Sequence, residues 1–107
     1  MIEHFILKEK QIIPVDLMTW ATWFEEGSNR RVALTKWPNG GIISTMFLGS
    51  DHNFNPNSKD KLLFETMAFD TGTEYDNEPY RYSTYEQAEK GHEEMVEMIT
   101  KLTNATR

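Results

Sequence analysis

The sequence has no cysteine. That excludes a disulfide framework, a thiolate zinc site and a thiol nucleophile. Small secreted domains are often disulfide-rich, so the absence favours a reducing cytosol. Long apolar runs are missing too: the longest reach four or five residues, against the roughly 20 needed to span a bilayer. The opening Met1-Ile2-Glu3-His4-Phe5 lacks the basic region of a signal peptide, so a soluble protein is expected. Basic residues are few: 11 Lys and Arg stand against 17 Asp and Glu, a formal net charge of −6. An acidic surface repels nucleic acid. It leaves room for a local cationic pocket, or for an acidic face that mimics DNA. The sequence also lacks a Gly-rich phosphate loop, a Walker-type motif and a Ser-His-Asp arrangement.

Aromatic residues are present in strength: three Trp, four Tyr and six Phe among 107 residues, with 38% of the chain hydrophobic. That is enough for one ordered core, and a domain this small gains stability from self-association. No linker divides the chain, so residues 1–107 read as a single domain.

Phe5, Leu7, Ile12, Ile13 and Val15 flank a polar stretch, which predicts a short hairpin, with Pro14 on an edge. Asp16 is a helix cap, and Leu17, Trp20, Ala21 and Phe24 share one helical face. A helix over about 16–26 follows, stopped by Gly27. Val32 and Leu34 alternate with Arg31, Ala33 and Thr35. Asn39-Gly40 then predicts a hairpin turn into a strand from Ile42 to Leu48. Its two faces are Ile42, Ser44, Met46, Leu48 and Ile43, Thr45, Phe47. Gly49–Asp60 is a polar loop. Leu62–Phe69 is the next strand, and Asp70–Tyr80 a second, acidic and mobile loop. Ser83 and Glu86 read as a capping box. Tyr85, Ala88, His92, Met95, Ile99 and Leu102 form one face of a final helix, which frays from Asn104. The fold class is α+β: a small antiparallel meander with two helices packed on one face.

Asp51, His52, Asn53 and Phe54 stand where a strand gives way to a loop, and can bond and stack on a ligand. Glu65 is a carboxylate in an apolar strand, needing a cation, a ligand or water. His92 falls on the apolar face of the last helix. Gly91, beside it, signals close approach of another backbone or a ligand. Arg30, Arg31, Arg81, Lys36, Lys59 and Lys61 are the cations able to hold an anion, and Arg81 precedes a helix N-terminus. Asp51, His52, Glu65 and His92 lack the tight spacing of metal ligands, so neither a metal nor a cofactor is assigned. The acidic stripe Glu86, Glu89, Glu93, Glu94 and Glu97 reads as the solvated side of the helix.

Four segments carry a resemblance. Val15-Asp16-Leu17-Met18-Thr19-Trp20-Ala21 looks like the PVDLxxWAxWFE opening of a group of small tailed-phage and prophage proteins. Ser44 to Phe54 resembles their STxFLGxDHNFG segment, Leu63 to Phe69 their LFETMxFG, and Arg81 to His92 their RYSTWEEAxxGH. Asn55 departs from a Gly in the pattern, and Tyr85 from a frequent Trp. The resemblance implies an accessory protein made in the cytoplasm of a bacterial host, and it assigns no catalytic residue.

The resulting expectation is a non-catalytic binding protein that counters host defence. It would sequester a nucleotide-like small molecule or block a host protein, and could do so as a homo-oligomer, without nucleic-acid or membrane partners. Its ligand site would draw on Asp51, His52, Asn53, Phe54, Glu65, Arg81 and His92. The alternative is a small acid–base enzyme using His52 or His92 with Glu65 or Asp51.

Overall fold

A computed structural model describes residues 3–26, 30–53 and 60–105. The fold is α+β, with one two-stranded and one four-stranded antiparallel sheet and two helices. β1 (His4–Lys8) and β2 (Gln11–Val15) form the N-terminal hairpin. Its turn residues, Glu9 and Lys10, both adopt positive φ, 51° and 68°. That is the geometry in which a two-residue turn matches strand twist, reached here without Asn or Gly. Phe5 N–H donates to the Gly49 carbonyl at 2.9 Å, tying the hairpin to the chain beyond β4.

Asp16 caps α1 (Leu17–Glu25), its Oδ1 accepting from Thr19 N–H at 2.7 Å. The expected face is covered only in part. Leu17 is 57% exposed and Met18 74% exposed, because the short helix leans chiefly on β1. The contacts fall on Trp20 and Phe24 of that face and on Trp23 beside it. Trp20 stacks between His4 (4.8 Å) and Phe24 (4.7 Å), and Trp23 meets Phe47 edge-on at 5.6 Å. Gly27 lies outside the described residues.

β3 (Arg31–Lys36), β4 (Ile42–Phe47), β5 (Phe64–Phe69) and β6 (Tyr80–Tyr82) pair in that order. A register shift between Arg31 and Ala33 breaks the simple alternation of β3. Val32 can therefore join the core beside Phe47 while Thr35 also points inward. β6 is an addition to the expected order, since three residues are too few to show a period.

α2 (Tyr85–Ala105) lies across the inner face of this sheet. Its cap is one residue later than the sequence suggests. Gln87 N–H donates to Thr84 Oγ1 at 3.1 Å, and Gln87 Oε1 accepts from the N–H groups of Ser83 and Thr84. Thr84 and Gln87, rather than Ser83 and Glu86, form the capping box. The helix continues through Asn104 to Ala105. Gly91 admits the ring of Tyr82, not a backbone or a ligand: a Cβ at position 91 would overlap Tyr82 Cζ and Oη.

The core has two apolar clusters. One gathers Phe5, Phe47, Leu63, Phe64 and Ala88; the other Ile43, Ala68, Met95 and Ile99. Along the three elements that contribute buried residues to both clusters, the residue between them is polar: Thr45 on β4, Thr66 on β5 and His92 on α2, all buried. The opposite sheet face carries Leu34, Ile42, Met46, Met67 and Phe69 with Arg31, Lys36, Glu65 and Arg81, half-buried or exposed.

Candidate functional site

The residues singled out in the sequence fall into three separate places. Asp51 organises its own loop, Oδ1 accepting from Asn53 N–H at 2.8 Å and Leu62 N–H at 2.9 Å. Asn53 Nδ2 donates to the Asp60 carbonyl at 2.6 Å, and His52 Nδ1 lies 2.9 Å from the Ser50 carbonyl. These bonds tie residues 50–53 after β4 to residues 60–62 before β5, as turn-forming Asp and Asn residues do. Phe54 and Lys59 lie outside the described residues.

Glu65 and Arg81 face each other across β5 and β6, Arg81 Nε donating to Glu65 Oε2 at 3.0 Å. The carboxylate in the apolar strand thus has its cation. Arg81 belongs to a strand and is engaged there, which sets it apart from an anion site at the start of α2. Arg30 stacks on Phe24, its Cζ 3.9 Å from the ring centroid. Lys61 reaches Glu3 at 3.3 Å.

His92 is on the other side of the sheet from Glu65, because adjacent residues of a strand point to opposite faces and Thr66 points at the histidine's network. Nε2 of His92 lies 2.8 Å from Thr35 Oγ1 and Nδ1 lies 2.8 Å from Thr45 Oγ1. Thr45 Oγ1 lies 2.6 Å from Thr66 Oγ1. A neutral imidazole has one donor and one acceptor nitrogen, and rotatable hydroxyls complement either tautomer. Burial lowers the pKa of His92 below 6.5, only partly opposed by Glu93. The structure therefore does not assemble His92 with Glu65, Arg81 and the Asp51 loop into one pocket. The His92–Glu65 pair of the enzyme alternative lies on two faces of one sheet.

A separate concavity lies elsewhere among the described residues. At the far end of the sheet a cleft of about 600 Å³ opens between the β3–β4 turn, the loop after β5 and the last turns of α2. The turn forms because Asn39 Oδ1 accepts from Gly41 N–H at 3.0 Å and Gly40 takes φ 99°. It presents Trp37 and Pro38. The loop after β5, expected to be mobile, is built around Asp76. That carboxylate accepts from the Thr71 hydroxyl and from the N–H groups of Thr71 (3.1 Å) and Gly72 (2.9 Å). Burial is the largest influence on Asp76 and raises its pKa. The bonds from Thr71, Gly72 and Thr73 together outweigh it and leave the group below 3.8. Asn77 N–H donates to the Ala68 carbonyl at 2.8 Å, closing the loop onto β5. Thr73 and Glu74 are thus held as one wall of the cleft, with Ile99, Thr100, Leu102 and Thr103 opposite.

The cleft combines an indole, aliphatic walls and several polar groups, the usual make-up of a small-molecule site. A partial signal for it was Trp37, an aromatic residue set against a tight turn. The Thr71–Glu74 wall is invisible until Asp76 is seen to fold it. Among the described residues no group of three His, Asp or Glu side chains is arranged to hold a metal. Among the described residues no helix is long and apolar enough to cross a membrane. Comparison with family models, curated proteins and solved structures gives no match.

Proposed function

We propose that this chain is a non-catalytic binding protein of a phage or prophage, acting in the bacterial cytoplasm by capturing a nucleotide-like small molecule. The observation that carries this reading is the cleft between Trp37, Thr73 and Thr100, about 600 Å³ in volume. That is room for one small ligand. The phage setting and the counter-defence role draw on the sequence resemblance. Binding rather than catalysis is supported by His92, whose two ring nitrogens serve the polar layer of the core.

Native mass spectrometry of protein purified gently from bacterial cells tests the reading. Retained small-molecule mass should disappear in Thr100→Phe, which fills the cleft from α2, and in Trp37→Ala. It should survive His52→Ala and Arg81→Ala. The reverse pattern moves the site to the Asp51 loop. The same spectrum counts subunits and so tests self-association.

A second reading, blockade of a host protein, draws on the outward sheet face. Leu34, Ile42, Met46, Met67 and Phe69 are interspersed there with Arg31 and Lys36, a surface suited to an apolar patch with acidic rims. Met67→Lys should abolish capture of such a partner and leave small-molecule retention intact.

A further inference from the structure

We propose that the cleft selects its ligand by charge, taking a flat heteroaromatic ring that is cationic or edged with N–H groups and disfavouring a phosphate placed beside that ring. This rests on the cleft being the binding site and narrows the nucleotide-like ligand to its base-bearing end.

Shape comes first. Trp37, Pro38, Ile99 and Leu102 supply the apolar surface of the cleft, and an indole beside aliphatic walls suits a planar ring. Its polar groups include Asn39, Thr73, Thr100 and Thr103. Thr103 donates its hydroxyl proton to the Ile99 carbonyl at 2.9 Å. Asn39 has Oδ1 engaged with Gly41. Its amide N–H groups can meet a ring carbonyl.

Sign comes second. Among the described lining residues Glu74 is the one with an ionisable side chain. Leu102 and Thr103 belong to the last turn of α2, which ends at Ala105. The carbonyl end of a helix carries partial negative charge. Lys36 and Lys101 adjoin lining residues in the chain but do not themselves line the cleft. The whole chain adds its net charge of −6. These contributions all favour a cation or an N–H edge and oppose a phosphate. An indole face further favours a positively charged ring.

The test titrates the full-length protein with three probes that share one ring: guanosine, 7-methylguanosine with its cationic ring, and guanosine monophosphate. At low salt 7-methylguanosine should bind about two- to five-fold tighter than guanosine, the scale of an exposed cation–π contact, and the monophosphate weakest. Glu74→Gln, an exposed substitution, should narrow the difference between the first two. Glu74→Lys should bring the monophosphate to the front. Equal binding of all three probes, or a preference for the monophosphate, overturns the charge selection and leaves the cleft as the site. If no probe binds, the ring selection fails. The cleft reading fails with it only if Thr100→Phe also keeps the small-molecule mass retained by wild-type protein.

Discussion

His92 is a titratable group sealed into the core with neutral partners, and it makes stability sensitive to mild acid. Burial holds its folded pKa below 6.5, so the unfolded chain takes up the proton first. The stabilisation is complete above about pH 6.5 and is lost as pH falls below it, with a slope of at most about 1.4 kcal/mol per pH unit for one proton. The urea midpoint should therefore be lower at pH 5.5 than at pH 7.5, and His92→Gln should remove that difference. Thr45 holds the layer together by contacting both His92 and Thr66. Thr45→Val should cost about 1–3 kcal/mol, the usual result of leaving buried polar atoms unpartnered. In the double variant with His92→Leu, the loss should be smaller than the sum of the two singles, because one network is being removed.

At the scale of elements, the cap of α2 separates two close alternatives. Thr84→Ala should lower the unfolding free energy by about 1 kcal/mol, while Ser83→Ala should change it by no more than a few tenths, both read from chemical denaturation. Asp76→Ala should release the loop after β5, with amide exchange rising at Thr71, Gly72 and Asn77. The helices, the turn at Asn39-Gly40 and strands β1 to β5 were legible because each carries a local mark: a cap, a period, a positive-φ turn. β6 was not, since Tyr80–Tyr82 has only three residues and is a strand by virtue of β5 alongside it. The exposure of Leu17 was hidden for a similar reason. Periodicity shows that a helix has an apolar stripe, but how much of it is covered depends on what lies opposite. The sequence-level site residues were chemically apt yet spatially scattered. Glu65 and Arg81 found each other, His92 turned to the opposite face, and the Asp51 loop bonded to itself.

At the scale of the whole molecule the protein is a slab of about 50 × 33 × 20 Å, with a different character on each broad side. One side shows the acidic stripe Glu86, Glu89, Glu93, Glu94 and Glu97, all exposed. The other is the apolar sheet face with Arg31 and Lys36. A partner that docks on the sheet face through acidic groups should associate faster at low ionic strength and lose that advantage in salt. Stopped-flow mixing at two salt concentrations reads this directly.

The fit of Tyr82 over Gly91 also constrains how the chain can change over generations. Position 91 cannot gain a side chain while position 82 keeps its ring, and the ring cannot shrink without opening a hole above the helix. Neither substitution is a neutral step alone, so the two positions are bound to drift together. Lineages in which Gly91 has become Ala should carry a smaller residue in place of Tyr82. A library that randomises both positions and selects for folding should return them as a correlated pair, although they stand nine positions apart in the chain.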